Sequence, residues 1–307
     1  LSMSYRLGTS LRYGENPHQN AAFYEKVYEE NPAEWKQLHG KELSYNNYTD
    51  MYNAVRFVKE FSEPAVVGTK HNNPAGIGIG ETIDEAFDKA YACDATSLFG
   101  GIFALNRPVT KHIAEVLHSF FMEIVIAPAY EEEALAILEE KKNLRVIVMP
   151  NLASFTLPKK TVKEVLGGIL VQDYDNADLT EEMEVVSARK PTEEEMRDLL
   201  FGFKAVKMVA SNGAVLVKDG ATLGIGQGQV RRTWAVEDAL SHGEGKHSGA
   251  VLASDGFFFA DTVELLQKHG IRAAIQPGGS VKDPEVIELC DQYGIALVMT
   301  HIRHFRH

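Results

Sequence analysis

Cysteine is scarce in this chain, with only Cys93 and Cys290 among its 307 residues. Two isolated thiols are too few for a disulfide framework or a thiolate metal cage. Both lie in stretches with amphipathic helical spacing, so we predict that they are buried core thiols.

The chain also lacks long apolar runs and an excess of basic residues. No apolar run approaches the roughly 20 residues of a membrane-spanning helix, and the start has no basic-then-apolar signal region. With 31 lysines and arginines against 43 aspartates and glutamates, the formal net charge is −12. Surfaces that bind nucleic acid are usually basic. We therefore expect a cytoplasmic protein without a membrane or nucleic acid partner, in which a few local arginines hold any phosphate.

Glycine-rich stretches occur at 76–80 and 224–228, but neither has the spacing of a common nucleotide loop. Both lack the G-x-G-x-x-G pattern of dinucleotide-binding folds and the Gly-Lys-Ser/Thr ending of a P-loop. A dinucleotide or Walker-type site is therefore not expected. For the first stretch we predict tight turns that let the backbone pack closely.

A zinc-deaminase pattern is present only in part. His242-Gly243-Glu244 matches the H-x-E element of those enzymes, but the required P-C-x-x-C element is absent. Two isolated cysteines do not supply the ligands for a zinc-activated water. We therefore predict no catalytic metal, and we interpret His242, Glu244 and His247 as a polar loop.

The first half of the chain has the pattern of an α/β protein, because amphipathic helical spacing alternates with short apolar runs from Thr49 onward. The spacing predicts helices near 50–61, 82–92, 110–120 and 131–141, and strands near 65–69, 101–105, 123–127 and 144–148.

The second half repeats this pattern after an irregular stretch at 151–191, which suits a crossing segment or a peripheral hairpin. A capping box at Thr192 predicts a helix to about Ala210, and Lys218-Asp219-Gly220 predicts a hairpin turn. Further helices are expected near 231–242, 261–269 and 284–293, with strands near 250–253, 272–276 and 295–299. We therefore predict a first domain at 1–150, a connecting segment at 151–191 and a second domain at 192–307.

The adjacent pair Lys70-His71 directly follows a short apolar strand pattern. The Asn and Pro residues that come next break regular structure, so we expect a loop that holds both side chains at a strand end. There, a cation and an imidazole can share one reacting centre. A Lys-His pair alone is usually a solvated loop charge, so its interpretation depends on the rest of the sequence.

Several other ordered blocks accompany that pair: Arg12-Tyr13-Gly14-Glu15-Asn16-Pro17-His18-Gln19, Leu38-His39-Gly40-Lys41-Glu42-Leu43-Ser44-Tyr45-Asn46-Asn47, Ser97-Leu98-Phe99-Gly100-Gly101, Ile126-Ala127-Pro128, Gly224-Ile225-Gly226-Gln227-Gly228-Gln229, Gln276-Pro277-Gly278-Gly279-Ser280 and Arg303-His304-Phe305-Arg306-His307. Together these blocks resemble the aminoimidazole carboxamide ribonucleotide (AICAR) transformylase domain of the bifunctional purine biosynthesis enzyme that also carries inosine monophosphate (IMP) cyclohydrolase. The resemblance covers nearly the whole chain.

The resemblance implies a fold and an assembly. The fold would be two tandem cytidine-deaminase-like α/β/α subdomains, the first with an N-terminal substrate-binding segment. The active site would lie at the interface of a homodimer. The cyclohydrolase part has no counterpart in this sequence, so we expect no cyclohydrolase activity from this chain. Either a separate IMP cyclohydrolase acts downstream, or this sequence is an excised domain of the bifunctional enzyme.

The resemblance also implies roles for individual residues. Arg12 and Arg303, each a bidentate donor beside an aromatic residue, would clamp the 5′-phosphate of AICAR. His307 would lie at the active site. The other nucleotide-site residues would be Tyr13, His18, Asn47, Gly100, Glu123, Asn212, Arg232 and Phe257. Those facing the folate would be Thr233, Asp261, Ser280 and Val281, and the stretch 224–229 would be a binding loop.

Two departures from the family pattern affect these roles. The segment 254–261 lacks a proline that the family usually has and is one residue shorter, which bears on Asp261. Arg231 stands where the family usually has a serine, so either Arg231 or Arg232 reaches the ligand.

The implied reaction transfers a formyl group from 10-formyltetrahydrofolate, the co-substrate, to the 5-amino group of AICAR. That amine is a poor nucleophile, because its lone pair is conjugated into an imidazole bearing a carboxamide. His71 would accept its proton, since imidazole changes charge near neutral pH. Lys70 would either stabilise the oxyanion on the formyl carbonyl or assist departure of folate N10.

Two other interpretations stay open. In the first, the chain is a catalytically silent paralogue that binds a purine ribonucleotide as a sensor or partner subunit. In the second, it is a transformylase that uses another formyl donor, such as formate with ATP. Lys70, His71 and His307 argue against the first alternative. The lack of a recognisable ATP loop argues against the second.

Overall fold

The computed structural model describes residues 2–177 and 182–307. Its strands are β1 (Tyr5–Leu11), β2 (Ala21–Lys26), β3 (Lys36–His39), β4 (Ala65–Lys70), β5 (Asn73–Ile79), β6 (Ile102–Leu105), β7 (Ile124–Ala127), β8 (Arg145–Val148), β9 (Lys160–Val165), β10 (Gly168–Asp173), β11 (Glu184–Val185), β12 (Ala214–Lys218), β13 (Ala221–Gly226), β14 (Val251–Ser254), β15 (Ala273–Gln276) and β16 (Ala296–Met299). Its helices are α1 (Tyr45–Val58), α2 (Ile83–Cys93), α3 (Ala95–Leu98), α4 (Lys111–His118), α5 (Glu132–Glu139), α6 (Glu193–Val206), α7 (Arg232–His242), α8 (Ala260–Lys268) and α9 (Asp283–Tyr293).

Twelve of these strands form one mixed sheet, in the order β11-β16-β15-β14-β12-β13-β5-β4-β6-β7-β8-β3. Two antiparallel hairpins, β4–β5 and β12–β13, lie at its centre and meet where Ala221 pairs with Gly78. Outside them, β6 to β8 and β14 to β16 run parallel, with helices as the crossovers. The predicted α/β class is therefore confirmed.

The two halves of this sheet repeat one order of elements. In each half a 14-residue helix (α1 or α6) precedes a central hairpin, a second helix (α2 or α7) follows it, and three strands alternate with two helices. The first half also has the four-residue helix α3 between α2 and β6. This repeat is what a tandem arrangement predicts. The cytidine-deaminase-like assignment and the domain boundaries at 150 and 192 stay predictions.

The helices cover both faces of the sheet. Helices α1 and α6 lie on one face and share a single core, in which the rings of Phe61 and Phe201 are 5.5 Å apart. Two further cores lie on the other face, under α2, α4 and α5 and under α7, α8 and α9. The sheet is thus buried between helical layers, as parallel strands require.

The glycine-rich stretch at 76–80 is not a set of tight turns. Gly76 and Gly78 lie in β5, where a side chain on either would collide with backbone atoms of α2. The close backbone approach that we predicted is present, but in a strand. Gly224 and Gly226 pack in the same way against α7 from within β13.

Both cysteines are core thiols, as predicted. Cys93 ends α2 and Cys290 lies in α9, and both are buried. Burial raises the pKa of the Cys93 thiol to about 11 and that of the Cys290 thiol to about 12. Neither thiol is therefore poised for nucleophilic chemistry.

The predicted connecting segment contains the peripheral hairpin that its irregular sequence suggested. Among the described residues, strands β9 and β10 pair only with each other, while β11 adds to the edge of the main sheet at β16. Residues 178–181 of this segment lie outside the described residues. Within the described part of the chain, no helix is both long and apolar enough for a membrane span.

Candidate active site

The Lys70-His71 pair lies at the tip of the β4–β5 hairpin. Lys70 pairs with Asn73, so His71 and Asn72 form a two-residue turn. The φ angles of these two residues are 51° and 65°, as in the primed turns that suit hairpins. The expected loop is therefore a tight turn, and Pro74 is part of β5 rather than a strand breaker.

A left-handed backbone is uncommon for residues other than glycine, although histidine is among those enriched there, and His301 also has a φ of 57°. For most L-residues this conformation costs about 1–2 kcal/mol. Such residues persist where the surrounding structure holds them, and they cluster at functional sites. His71 thus combines a constrained backbone with an exposed side chain at the tip of the hairpin.

Lys70 is held beside Gly100. Its Nζ donates a hydrogen bond to the carbonyl oxygen of Phe99, 2.8 Å away. The backbone N–H of Glu123 bonds in turn to the carbonyl oxygen of Gly101 at 3.0 Å. The carboxylate of Glu123 pairs with Arg145 at 2.5 Å. The structure thus brings together three predicted site residues, Lys70, Gly100 and Glu123.

The sequence analysis missed Asp50, which faces this turn from α1. Its Oδ1 accepts a hydrogen bond of 2.6 Å from the backbone N–H of Asn72. Burial raises the pKa of Asp50, and the nearby Glu123 raises it further. The hydrogen bond from the Asn72 N–H and the nearby His71 lower it, but by less. The only sequence signal was a polar residue one helical turn after Asn47.

Asn47 itself is the third residue of α1 and forms a capping box with Ser44. Its backbone N–H donates to Ser44 Oγ at 3.2 Å, and its Oδ1 accepts from the Ser44 N–H at 3.0 Å. The loop with Arg12, Tyr13 and His18 joins this helix start, because Asn46 Nδ2 lies 3.4 Å from the Glu15 carbonyl oxygen.

A second group of predicted residues lines a cavity of about 360 Å³ in the other half of the chain. The predicted residues in its lining are Asn212, Arg232, Thr233, Phe257 and Asp261. The cavity joins residues predicted for the nucleotide with residues predicted for the folate. Its described lining does not include Ser280 or Val281, which lie between β15 and α9 with Val281 almost fully exposed.

The two candidate arginines of this cavity differ in their environments. Arg232 is buried, forms an ion pair with the fully buried Asp255 and donates to the Gly213 carbonyl oxygen at 3.1 Å. Arg231 is exposed at the rim, with its Nη2 3.2 Å from Asp261 Oδ2. Arg232 therefore builds the cavity wall, whereas Arg231 keeps an exposed guanidinium at its mouth.

The end of the chain connects the two regions. The guanidinium of Arg303 lies 4.7 Å from the ring of Phe305, which also lines the cavity with Arg232. Arg306 forms backbone hydrogen bonds with Ser211 and donates from its Nη2 to the Asn72 carbonyl oxygen at 3.2 Å. Burial lowers the pKa of Arg306 to about 10.

His307 and the two halves of the candidate site line separate cavities. His307 lines one of about 750 Å³ beneath the β9–β10 hairpin, together with Arg56 and Arg306. Lys70 and His71 line another of about 270 Å³ with Cys93 and His242. His242 ends α7 rather than lying in the polar loop that we predicted. The described residues include no group of three side chains suited to hold a metal ion.

These features define an α/β protein that has Lys70 and His71 at the tip of one central hairpin and a guanidinium-lined cavity in the opposite half. Residues 1–242 match the family model described as the AICARFT/IMPCHase bienzyme. The chain belongs to this family, which confirms the resemblance seen in its sequence.

Individual relatives show the same similarity. The chain is 51% identical over 310 residues to the bifunctional purine biosynthesis protein PurH of Oceanobacillus iheyensis, covering all of this chain and 61% of that protein. It is 52% identical over 311 residues to PurH of Clostridium acetobutylicum, covering 60% of it. The chain thus spans about three fifths of the length of the curated relatives it matches.

Proposed function

We propose that this chain transfers a formyl group from 10-formyltetrahydrofolate to the 5-amino group of AICAR, giving formyl-AICAR and tetrahydrofolate in IMP biosynthesis. The observation that carries the proposal is the left-handed His71, next to a lysine whose ammonium is held at the same strand end. Family membership and the purine biosynthesis relatives support the choice of substrate class.

His71 acts as the proton acceptor in this proposal. The 5-amino nitrogen attacks the formyl carbon, and its proton passes to the imidazole as the new N–C bond forms. The bond from the formyl carbon to N10 then breaks, and N10 takes up a proton as tetrahydrofolate leaves. Lys70 stabilises the oxyanion between these steps or assists departure of N10.

Phosphate binding positions the amine for this attack. Arg12 and Arg303 are exposed, and each guanidinium lies near an aromatic ring, at 5.6 Å for Arg12 over Tyr13. Such groups suit bidentate contacts to a phosphate monoester. Binding energy gained at the phosphate, far from the reacting atoms, then fixes the orientation of the substrate.

The folate is proposed to enter the cavity beside Thr233 and Asp261. Arg231 stands at the mouth of this cavity, while the guanidinium of Arg232 is already bound to Asp255. Of the two, Arg231 is therefore better placed for a direct contact with a carboxylate of the folate. Arg232 shapes the wall against which the ligand packs.

The complete site is proposed to form between two copies of the chain. Within one chain, His71 and Asn212 line different cavities, one in each half. A homodimer that opposes the two halves would join them into one site. Mixing His71→Asn chains with Asn212→Ala chains should then restore part of the activity that each lacks, whereas an inactive mixture contradicts a shared site.

Formation of tetrahydrofolate tests the proposed activity. We expect turnover that needs both AICAR and 10-formyltetrahydrofolate, persists with a chelator present and is lost in His71→Asn. Asparagine tolerates the left-handed backbone, so this variant removes the imidazole and keeps the turn. AICAR binding without turnover would favour the silent paralogue, and turnover only with formate and ATP would favour the other donor.

A further inference from the structure

The His71–Asn72 turn is held by two charged side chains of opposite sign. The backbone N–H of Asn72 donates to the Asp50 carboxylate at 2.6 Å, and its carbonyl oxygen accepts from the Arg306 guanidinium at 3.2 Å. Asp50 belongs to α1 and Arg306 to the end of the chain. We call this arrangement of Asp50, Asn72 and Arg306 the Asn72 clamp.

Arg306 is itself fixed from several sides. Its guanidinium donates to the Met208 carbonyl oxygen at 2.6 Å and to Asn53 Oδ1 at 3.2 Å, and it lies 5.1 Å from the ring of Phe57. Because Arg306 has little freedom to move, it can fix the position of the Asn72 peptide.

The second half of the chain contains a matching carboxylate. Asp50 and Asp198 are each the sixth residue of a 14-residue helix that begins with a capping box, in α1 and α6. Asp198 accepts hydrogen bonds of 2.8 Å from the N–H groups of Asp219 and Gly220, the turn of the β12–β13 hairpin. A carboxylate that binds a hairpin turn is thus a structural feature of the repeat.

What differs is the turn that each carboxylate holds. Asp219-Gly220 is an ordinary hairpin turn, since aspartate and glycine both tolerate a positive φ. In the first half, His71 occupies the first turn position. The same device therefore holds an exposed imidazole in the first half and the exposed carboxylate of Asp219 in the second.

We propose that Asp50 is a positioning residue for His71, which it holds through the Asn72 clamp with Arg306 on the opposite side. This inference rests on the proposed function, in which His71 is the base. The alternative is that Asp50 only stabilises the hairpin, as Asp198 does.

The test compares Asp50→Ala with Asp198→Ala in the full chain, because alanine removes the oxygen that accepts the turn N–H. For Asp50→Ala we expect kcat to fall about 10- to 100-fold, as for a misplaced reacting group, with the KM for AICAR changed less than about threefold. Asp198→Ala should lose stability but keep its kcat and its KM for AICAR.

Identical kinetic behaviour of the two variants would overturn the proposal. If Asp50→Ala does not fold, Arg306→Lys decides: we expect a reduced kcat from the looser clamp, and wild-type kinetics would contradict it. Hydrogen exchange at the Asn72 amide of the wild type adds a readout independent of activity. We expect exchange at least about 100-fold slower than in a free peptide, and an unprotected amide would refute the clamp.

These outcomes separate the two proposals. If the wild type turns over AICAR and Asp50→Ala matches it, the clamp is wrong and the function stands. If the wild type has no turnover, the proposed function is wrong, and the positioning role falls with it.

Discussion

The ammonium of Lys70 donates a hydrogen bond to the carbonyl oxygen of Phe99, 2.8 Å away, which fixes it next to Gly100 and one residue from His71. A flexible surface lysine would lose side-chain entropy on entering a transition state. Because this ammonium is held by the protein, part of that loss has already occurred during folding.

Replacing Lys70 should therefore affect the chemical step. For Lys70→Met we expect kcat to fall by about 10²–10⁴-fold with the KM for AICAR nearly unchanged, since its charge matters mainly in the transition state. Lys89→Met is a matched control, because Lys89 also donates to a backbone carbonyl oxygen, that of Ile79. Steady-state kinetics that show equal kcat for both variants would remove Lys70 from the mechanism.

The proposed contacts of Arg12 and Arg303 with the 5′-phosphate of AICAR predict selective losses in ligand affinity. Arg12→Ala and Arg303→Ala should each weaken binding of AICAR by about 1.5–3 kcal/mol, the range for hydrogen bonds to charged groups, and leave the nucleoside without phosphate almost unaffected. Arg6→Ala serves as the control, because Arg6 is exposed on β1 and pairs with Glu25. Calorimetric titration measures these affinities. Equal losses for the nucleotide and the nucleoside would make the arginines structural.

The buried pair of Arg232 and Asp255 should matter for stability more than the exposed pair of Arg231 and Asp261. The side chain of Arg232 is 9% exposed and that of Asp255 is 0%, against 60% and 44% for the other pair. Removing one member of a buried pair leaves an uncompensated charge, so Asp255→Ala should lower the free energy of unfolding by about 3–5 kcal/mol. Arg231→Ala should change it by less than about 1 kcal/mol. Urea unfolding measures both, and similar values would contradict the assignment of Arg232 to the cavity wall.

Stability at low pH should depend on Asp175, which lies 2.7 Å from the buried His304. Burial opposes ionisation of Asp175, but the hydrogen bond and charge of His304 outweigh it and hold the pKa of this carboxyl below its usual value of 3.8. A lowered pKa stabilises the fold at every pH above the pKa that Asp175 has in the unfolded chain. This contribution disappears as the pH falls through the pKa that Asp175 has in the folded chain. Asp175→Asn should thus be less stable than the wild type near about pH 6, and the difference should shrink below about pH 4. A constant difference across this range would contradict the pairing.

The sequence predicted the elements whose burial follows a clear period. Strand β7 and helix α4 were found because Ile124 to Ala127 form a continuous apolar run and Ile113 and Leu117 share one helical face. Strands β1 and β2 were missed although Tyr5, Leu7 and Leu11 of β1 lie at alternate positions. The two strands form a separate hairpin whose residues are mostly exposed, so no buried face marks them clearly in the sequence. Strand β5 was missed because glycines that allow close packing against α2 resemble a turn in the sequence.

The candidate site was predictable only where motifs carry it. Lys70, His71 and Arg303 came from ordered blocks, and Arg306 lies in the same block as Arg303. The contacts by which Asp50 and Arg306 hold Asn72, however, span 22 and 234 residues along the chain. Neither separation leaves a local pattern. The positive φ of His71 likewise depends on the register of β4 and β5, which the residue types alone do not reveal.

Transfer of an isotopically labelled formyl group tests the central claim most directly. With 10-formyltetrahydrofolate labelled with carbon-13 in its formyl group, the account predicts that the label appears on the 5-amino nitrogen of AICAR, in amounts equal to the tetrahydrofolate formed. His71→Asn should transfer almost none. Label that stays on the folate or appears only as free formate would show that the chain does not catalyse this transfer.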